Sequence, residues 1–164
     1  MARIEVGEAI IQLSDGRTAT QRSADQGMNN LVLIDYSYDY ANAKTLAITF
    51  AQQASQQAKQ DVIGFLQSHG KQICVIKDVP GMQLLRTIAM LANEAFDAVN
   101  QGVCDENAVD TAMQAGVAYP KGPIAWAREI GLDFIVTVLV NIQATYGEQR
   151  YRVSPLLRSL IYKK

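Results

Sequence analysis

The tetrapeptide Asp78-Val79-Pro80-Gly81 divides this sequence into two unlike regions. Proline fixes φ and removes a backbone donor, and glycine opens conformations closed to other residues, so neither a strand nor a helix is expected to run through the pair. Before the break, strand and helix signals mix. After it, from about Pro80, the segments read almost entirely as helix.

In the first region, Ile10 to Thr20 ("IIQLSDGRTAT") reads as a hairpin turning at Asp15-Gly16, a dipeptide suited to positive φ. A loop rich in Ser, Gln, Gly and Asn follows. Leu31 to Asp35 ("LVLID") is an apolar run of buried-strand length. Leu46, Phe50, Ala54, Ala58, Val62 and Phe65 recur every three to four residues, so Ala43 to about Ser68 is expected as one long amphipathic helix closed by Gly70. Gln72 to Ile76 ("QICVI") is a second strand. Strand, helix and strand in this order predict a βαβ unit with Leu31–Asp35 and Ile73–Ile76 as parallel neighbours.

In the second region, Met82 to about Gln101 presents an apolar face of Leu84, Leu85, Ile88, Leu91, Ala95 and Val99, and Gly102 stops it. Asp105 has the character of an N-cap for a helix to about Gln114 that buries Val109, Ala112 and Met113, with Gly116 ending it. Two prolines and a glycine then crowd into Tyr119-Pro120-Lys121-Gly122-Pro123, just ahead of Trp126. Pro123 suits the first position of a helix, which Gly131 closes. Asp133 is expected to cap a last helix, Phe134 to Tyr146, before Gly147. Its stretch "FIVTVLVNI" is apolar on all sides, which suits burial in this chain or at a subunit interface. No internal repeat is evident.

Composition narrows the function. The chain of 164 residues is 49% hydrophobic, enough for a substantial core, and its net charge of −1 argues against nucleic acid or an acidic membrane surface as partner. No run of about 18 apolar residues offers a membrane span. The start "MARIEVGEAIIQL" lacks the apolar centre of a signal peptide. Cys74 and Cys104 have no CxxC spacing and read as reduced, which suits a cytoplasmic chain without a metal site.

Residues that could carry chemistry are few. There is neither a GxGxxG turn nor a Walker loop. His69, the single histidine, sits at a helix end, where it serves the helix dipole or faces water. Glu94 and Asp97 in "ANEAFD" could hold a general base, although a polar helix face is the simpler reading. Tyr36, Tyr38 and Tyr40 could stack on a nucleotide, but three rings packing under a loop are the default. Arg150 and Arg152 flank Tyr151 and could meet a phosphate or carboxylate, with a solvated face as the default.

Four stretches, in order and near-constant spacing, resemble the C-terminal half of the 3-hydroxyacyl-CoA dehydrogenase family. They are "KDVPGM" (Lys77 to Met82), "LANEAFDAVNQGV" (Leu91 to Val103), "VDTAMQAGVAYPKGPIAWAREIGLD" (Val109 to Asp133) and "YRVSPLLR" (Tyr151 to Arg158). The likeness covers about residues 72 to 158 and is greatest to long bacterial members acting on 3-hydroxybutyryl-CoA or 3-hydroxyadipyl-CoA, which carry a second copy of the helical domain. Residues 1 to 76, including "LSDGRTAT", resemble the segment between the copies.

The resemblance implies a mostly α fold: a helical domain like the C-terminal domain of 6-phosphogluconate dehydrogenase, over residues 79–164, preceded by a small α/β segment over residues 1–78 that resembles a truncated nucleotide-binding fold. It implies a piece of a longer NAD-dependent enzyme, so Met1 need not be the native start. It implies an acyl-CoA substrate, an N-terminal dinucleotide-binding domain as partner, and a homo-oligomer. The family's signature runs Pro-Gly-Phe-x-x-Asn-Arg; aligned on Pro80-Gly81, its Asn falls on Leu85 and its Arg on Arg86. The family's His–Glu pair and supporting Ser have no counterpart here.

This copy is therefore expected to lack catalytic residues and to bind no NAD itself. Arg86, Glu94 and Tyr119 are the substrate-side candidates. Pro80, Gly81, Pro120, Gly122 and Pro123 are read as stiff structural corners, the second group setting the angle of the Trp126 helix. The alternative reading is a non-catalytic helical dimerisation module.

Overall fold

The computed structural model describes residues 3–163. The chain forms two compact units, Met1–Leu85 and Arg86–Lys164.

The first unit is a five-stranded mixed sheet with a helix on each face. Its strands are β1 (Arg3–Val6), β2 (Ala9–Leu13), β3 (Leu31–Ile34), β4 (Thr45–Phe50) and β5 (Gln72–Val75), in spatial order β1-β2-β3-β4-β5. The helices are α1 (Ala19–Gln26) and α2 (Gln56–Ser68). β2 and β3 are parallel, as are β4 and β5, while β1 pairs with β2 and β3 with β4 antiparallel. The sheet is two βαβ units set side by side in opposite directions, with β1 added at one edge. A mostly α chain with a small α/β segment is thus not the fold. Half of the molecule is a reduced α/β domain with its own two-sided core.

The alternation of side chains across the pleat supplies that core. Ile11, Val32, Leu46 and Ile48 face α2 and pack on Ala58, Val62 and Leu66. Leu31 and Leu33 face the other way and pack with Ala19 of α1 and with Met82. Met82 holds φ at +53°, a strained value for a side chain with a Cβ, and its burial is what holds it there.

Three local expectations fail here. The hairpin is one strand earlier than expected: Gly7, at φ +56°, turns β1 into β2, while Asp15-Gly16 leads into α1, where a polar loop is expected. The long helix from Ala43 is instead β4, a turn and α2, which Ser55 caps by accepting from the Ala58 N–H. Leu46 and Phe50 are four residues apart, a spacing that satisfies both the helical period and strict alternation, and β-branched Thr45, Ile48 and Thr49 tip it to strand. Consequently β3 and β5 are not neighbours, since β4 lies between them.

The second unit is helical. α3 (Leu84–Asn100) begins at the end of the first unit, followed by α4 (Glu106–Val117), α5 (Pro123–Ile130), α6 (Leu132–Tyr146), a 3₁₀ turn (Gln149–Tyr151) and α7 (Pro155–Leu160). Phe96, Ile124, Ile135, Leu139, Ile142 and Tyr151 are among its fully buried side chains. Gly102 ends α3's exit turn at φ +73°, and Asp105 caps α4 by accepting from the Ala108 N–H. α4 runs through Gly116 to Val117 and buries Val109, whereas Ala112 is exposed and Met113 half-buried. Gly131, not Asp133, is the N-cap of α6; Asp133 lies in its first turn. Asn93 grips the chain ahead of α7 with both ends of its amide, donating to the Arg152 carbonyl at 2.9 Å and accepting from the Ser154 N–H at 2.8 Å.

Candidate functional site

The segment after Pro80-Gly81 carries the Pro-Gly signature on which the resemblance rests. Asp35, at the end of β3, is buried, and its carboxylate accepts from the N–H groups of Gln83 (3.0 Å), Leu84 (2.8 Å) and Leu85 (3.0 Å). An anion at the start of a helix satisfies donors that the helix itself leaves open and meets the positive end of its dipole. This remote cap fixes the backbone of Leu85, whose side chain is 0% exposed. A cavity of about 210 Å³ opens beside Asp35, lined by Tyr36, Ser37, Thr45 and Leu84 among others.

Arg86 opens the second unit. Its Nη1 donates to the Tyr146 hydroxyl at 3.2 Å and its Nη2 to the Tyr151 hydroxyl. The guanidinium carbon lies 4.9 Å from the centroid of the Tyr146 ring and 5.2 Å from that of Tyr151, and the two rings stack on each other 5.3 Å apart. The other two substrate-side candidates lie elsewhere on this unit. Glu94 is exposed on α3, and Tyr119 is half-buried in the loop between α4 and α5. Among the described residues Arg86 bonds to Tyr146 and Tyr151 rather than to either of them.

The Tyr-Pro-Lys-Gly-Pro corner is held by a residue that the sequence reading did not single out. The Asp110 carboxylate of α4 accepts from the N–H groups of Ile124 (2.8 Å) and Ala125 (2.9 Å), capping α5 from outside. Lys121 pairs with Glu129, and Arg128 with Glu106, within the same unit. Trp126 is buried.

The remaining candidates take ordinary structural roles. His69 is exposed at the end of α2, with Nδ1 2.8 Å from the Phe65 carbonyl. Asp97 accepts from Gln101 and pairs with Arg152 at 3.5 Å. Tyr38 is exposed rather than packed under a loop, while Tyr40 keeps 39% of its surface open and turns its hydroxyl inward, donating to the Asp35 carbonyl at 2.9 Å. Both cysteines are free thiols, and no group of metal ligands forms among the described residues.

The turn into α1 does not fit a dinucleotide. A pyrophosphate is held by unpaired N–H groups at a helix start that follows a glycine-rich turn. The donors at the start of α1 are already taken: Ala19 and Thr20 donate to the Asp78 carboxylate at 2.6 and 2.9 Å, Gln21 to the Thr18 hydroxyl, and Arg22 to the Thr18 carbonyl. The turn before α1 holds Asp15 bonded to Arg17 rather than open backbone.

Comparison with known proteins gives the lineage. Residues 11–80 match the family described as 3-hydroxybutyryl-CoA dehydrogenase reduced Rossmann-fold domain, and residues 81–164 match 3-hydroxyacyl-CoA dehydrogenase, C-terminal domain. The chain is 40% identical over 154 residues to 3-hydroxyadipyl-CoA dehydrogenase of Escherichia coli K12, covering 94% of this chain and 31% of that protein. It is 33% identical over 107 residues to a probable 3-hydroxybutyryl-CoA dehydrogenase of Bacillus subtilis, covering 65% of this chain and 37% of that protein. The crystal structure of 3-hydroxybutyryl-CoA dehydrogenase from E. coli K12 superposes with a TM-score of 0.90 at 37% identity, over 98% of this chain and 33% of that one. The chain thus spans about a third of the length of the relatives it matches.

Proposed function

We propose, because the chain belongs to the 3-hydroxyacyl-CoA dehydrogenase family, that it is a C-terminal piece of an enzyme oxidising a 3-hydroxyacyl-CoA to the 3-oxoacyl-CoA with NAD. On this reading residues 1–78 are an inter-domain segment and residues 79–164 a helical domain. The piece supplies structure on the acyl side or at the subunit interface and no catalytic groups. Hydride transfer and its His base belong to the part of the parent polypeptide that is not in this chain. The observation that carries the reading is Leu85: an apolar, fully buried side chain stands where the family places an Asn. A leucine has no donor or acceptor to offer a substrate carbonyl.

The apolar residues left open on the second unit favour assembly as a companion role. Val103, Val117 and Val140 are exposed there, which suits a homo-oligomer, and the free thiols Cys74 and Cys104 suit the cytoplasm. Among the described residues no helix is long and apolar enough to cross a membrane.

Calorimetric titration of this chain with NAD and, separately, with acetoacetyl-CoA tests the reading. Silence with NAD is expected. Saturable heat with acetoacetyl-CoA assigns the acyl side, and silence with both, together with a dimer by sedimentation, assigns the assembly role. NAD binding would overturn the proposal.

A further inference from the structure

The cluster of Arg86, Tyr146 and Tyr151 is rich in donors and poor in acceptors. A guanidinium carries five N–H donors; two of Arg86's meet the tyrosine hydroxyls, and the rest have no acceptor among the described residues. None of the ion pairs among these residues supplies a carboxylate to Arg86. Each phenol oxygen has accepted from Arg86, so its own O–H proton points to a further acceptor, and no such acceptor is present among the described residues. Tyr151 is only 2% exposed, where an unmet hydroxyl is costly, whereas Tyr146 is 38% exposed and opens the cluster to solvent. A second cation, Arg150, stands 6.0 Å from the Tyr151 ring, with Glu148 as its own partner at 2.5 Å.

We propose that Arg86, Tyr146 and Tyr151 form a binding site for an oxyanion. Guanidinium and phenol donors converging without an acceptor match a carboxylate or phosphate, and Arg favours such planar or bidentate partners. The proposal rests on the family reading only for the source of the anion. An acyl-CoA brings phosphates, and a dicarboxylic acyl group brings a terminal carboxylate.

The test is a titration of the whole chain with adipate, inorganic phosphate and coenzyme A in turn, followed by tyrosine fluorescence. Saturable binding of at least one is expected. Adipate alone assigns a carboxylate; phosphate and coenzyme A assign a phosphate. Tyr146→Phe keeps the stacked ring and removes the hydroxyl, and should weaken binding about tenfold. Arg86→Lys keeps the charge, loses the fork and should weaken it further. If Arg86→Lys fails to fold, Tyr146→Phe still decides. Absence of saturable binding with all three ligands overturns the proposal, as does binding that Tyr146→Phe leaves unchanged. A site that takes inorganic phosphate but neither coenzyme A nor acetoacetyl-CoA would sustain this inference and remove the acyl-side reading.

Discussion

Asp110 and Gly122 compete for one space: a Cβ built on Gly122 would lie 2.2 Å from the Asp110 Cγ. The contact exists because Asp110 leans over the corner to reach the N–H groups of Ile124 and Ala125. Gly122→Ala must displace that cap or bend the turn, and we expect a loss of about 1–3 kcal/mol in urea unfolding. Gly64, inside α2 with open space around it, is the control. Gly64→Ala should gain about 0.5–1 kcal/mol, since it removes freedom from the unfolded chain alone. Equal effects at the two sites would contradict the steric account.

Asp35 serves four backbone donors at once, its neighbour Tyr36 and three at the start of a helix, so its removal takes away the acceptor that all four share. Asp35→Ala is expected to cost about 2 kcal/mol or more. Hydrogen exchange locates the effect: the amides of Gln83, Leu84 and Leu85 should lose protection before those in the middle of α3.

Restoring the family's residue at Leu85 should not restore chemistry. Its side chain is wholly enclosed, so Leu85→Asn buries an amide and loses apolar contacts, at a cost of about 2–4 kcal/mol. We expect a lower unfolding midpoint and no NADH turnover with acetoacetyl-CoA. Activity gained by this variant would end the view that the copy lacks catalytic groups.

Burial pushes the Tyr40 hydroxyl up to about 12, while it donates to the Asp35 carbonyl. A tyrosine in the unfolded chain ionises near pH 10. The unfolded state therefore releases this proton first, so the contribution of Tyr40 to stability is complete below about pH 10 and falls away as the pH rises through about 12. Tyr40→Phe should flatten that alkaline decline in a series of denaturant titrations.

Much of the second unit was legible because its punctuation is local. Gly102, Asp105, Pro123 and Gly131 each act within a turn of where they stand, and the helices begin or end beside them. The first unit was less legible. Leu46 and Phe50 fit two periods, and what separates them is the sheet into which they pack. The helix α1 is short and polar, with Thr18 as its own cap and Asp78 supplying the rest from far along the chain. Remote carboxylates at Asp35, Asp78 and Asp110 leave no trace in local spacing, so three of the most specific contacts in the molecule were invisible to pattern reading. The Arg86 cluster was half visible: Arg86 stood out by resemblance and Tyr151 by its flanking arginines, but nothing joined them until the chain folded.

The antiparallel step between β3 and β4 decides what this sheet can cradle. A molecule with two nucleotide halves needs two neighbouring strand pairs that release their loops along the same rim. Here β2 and β3 run one way and β4 and β5 the other. Their loops leave from opposite rims, and a bridging ligand would find its second half on the far side of the sheet.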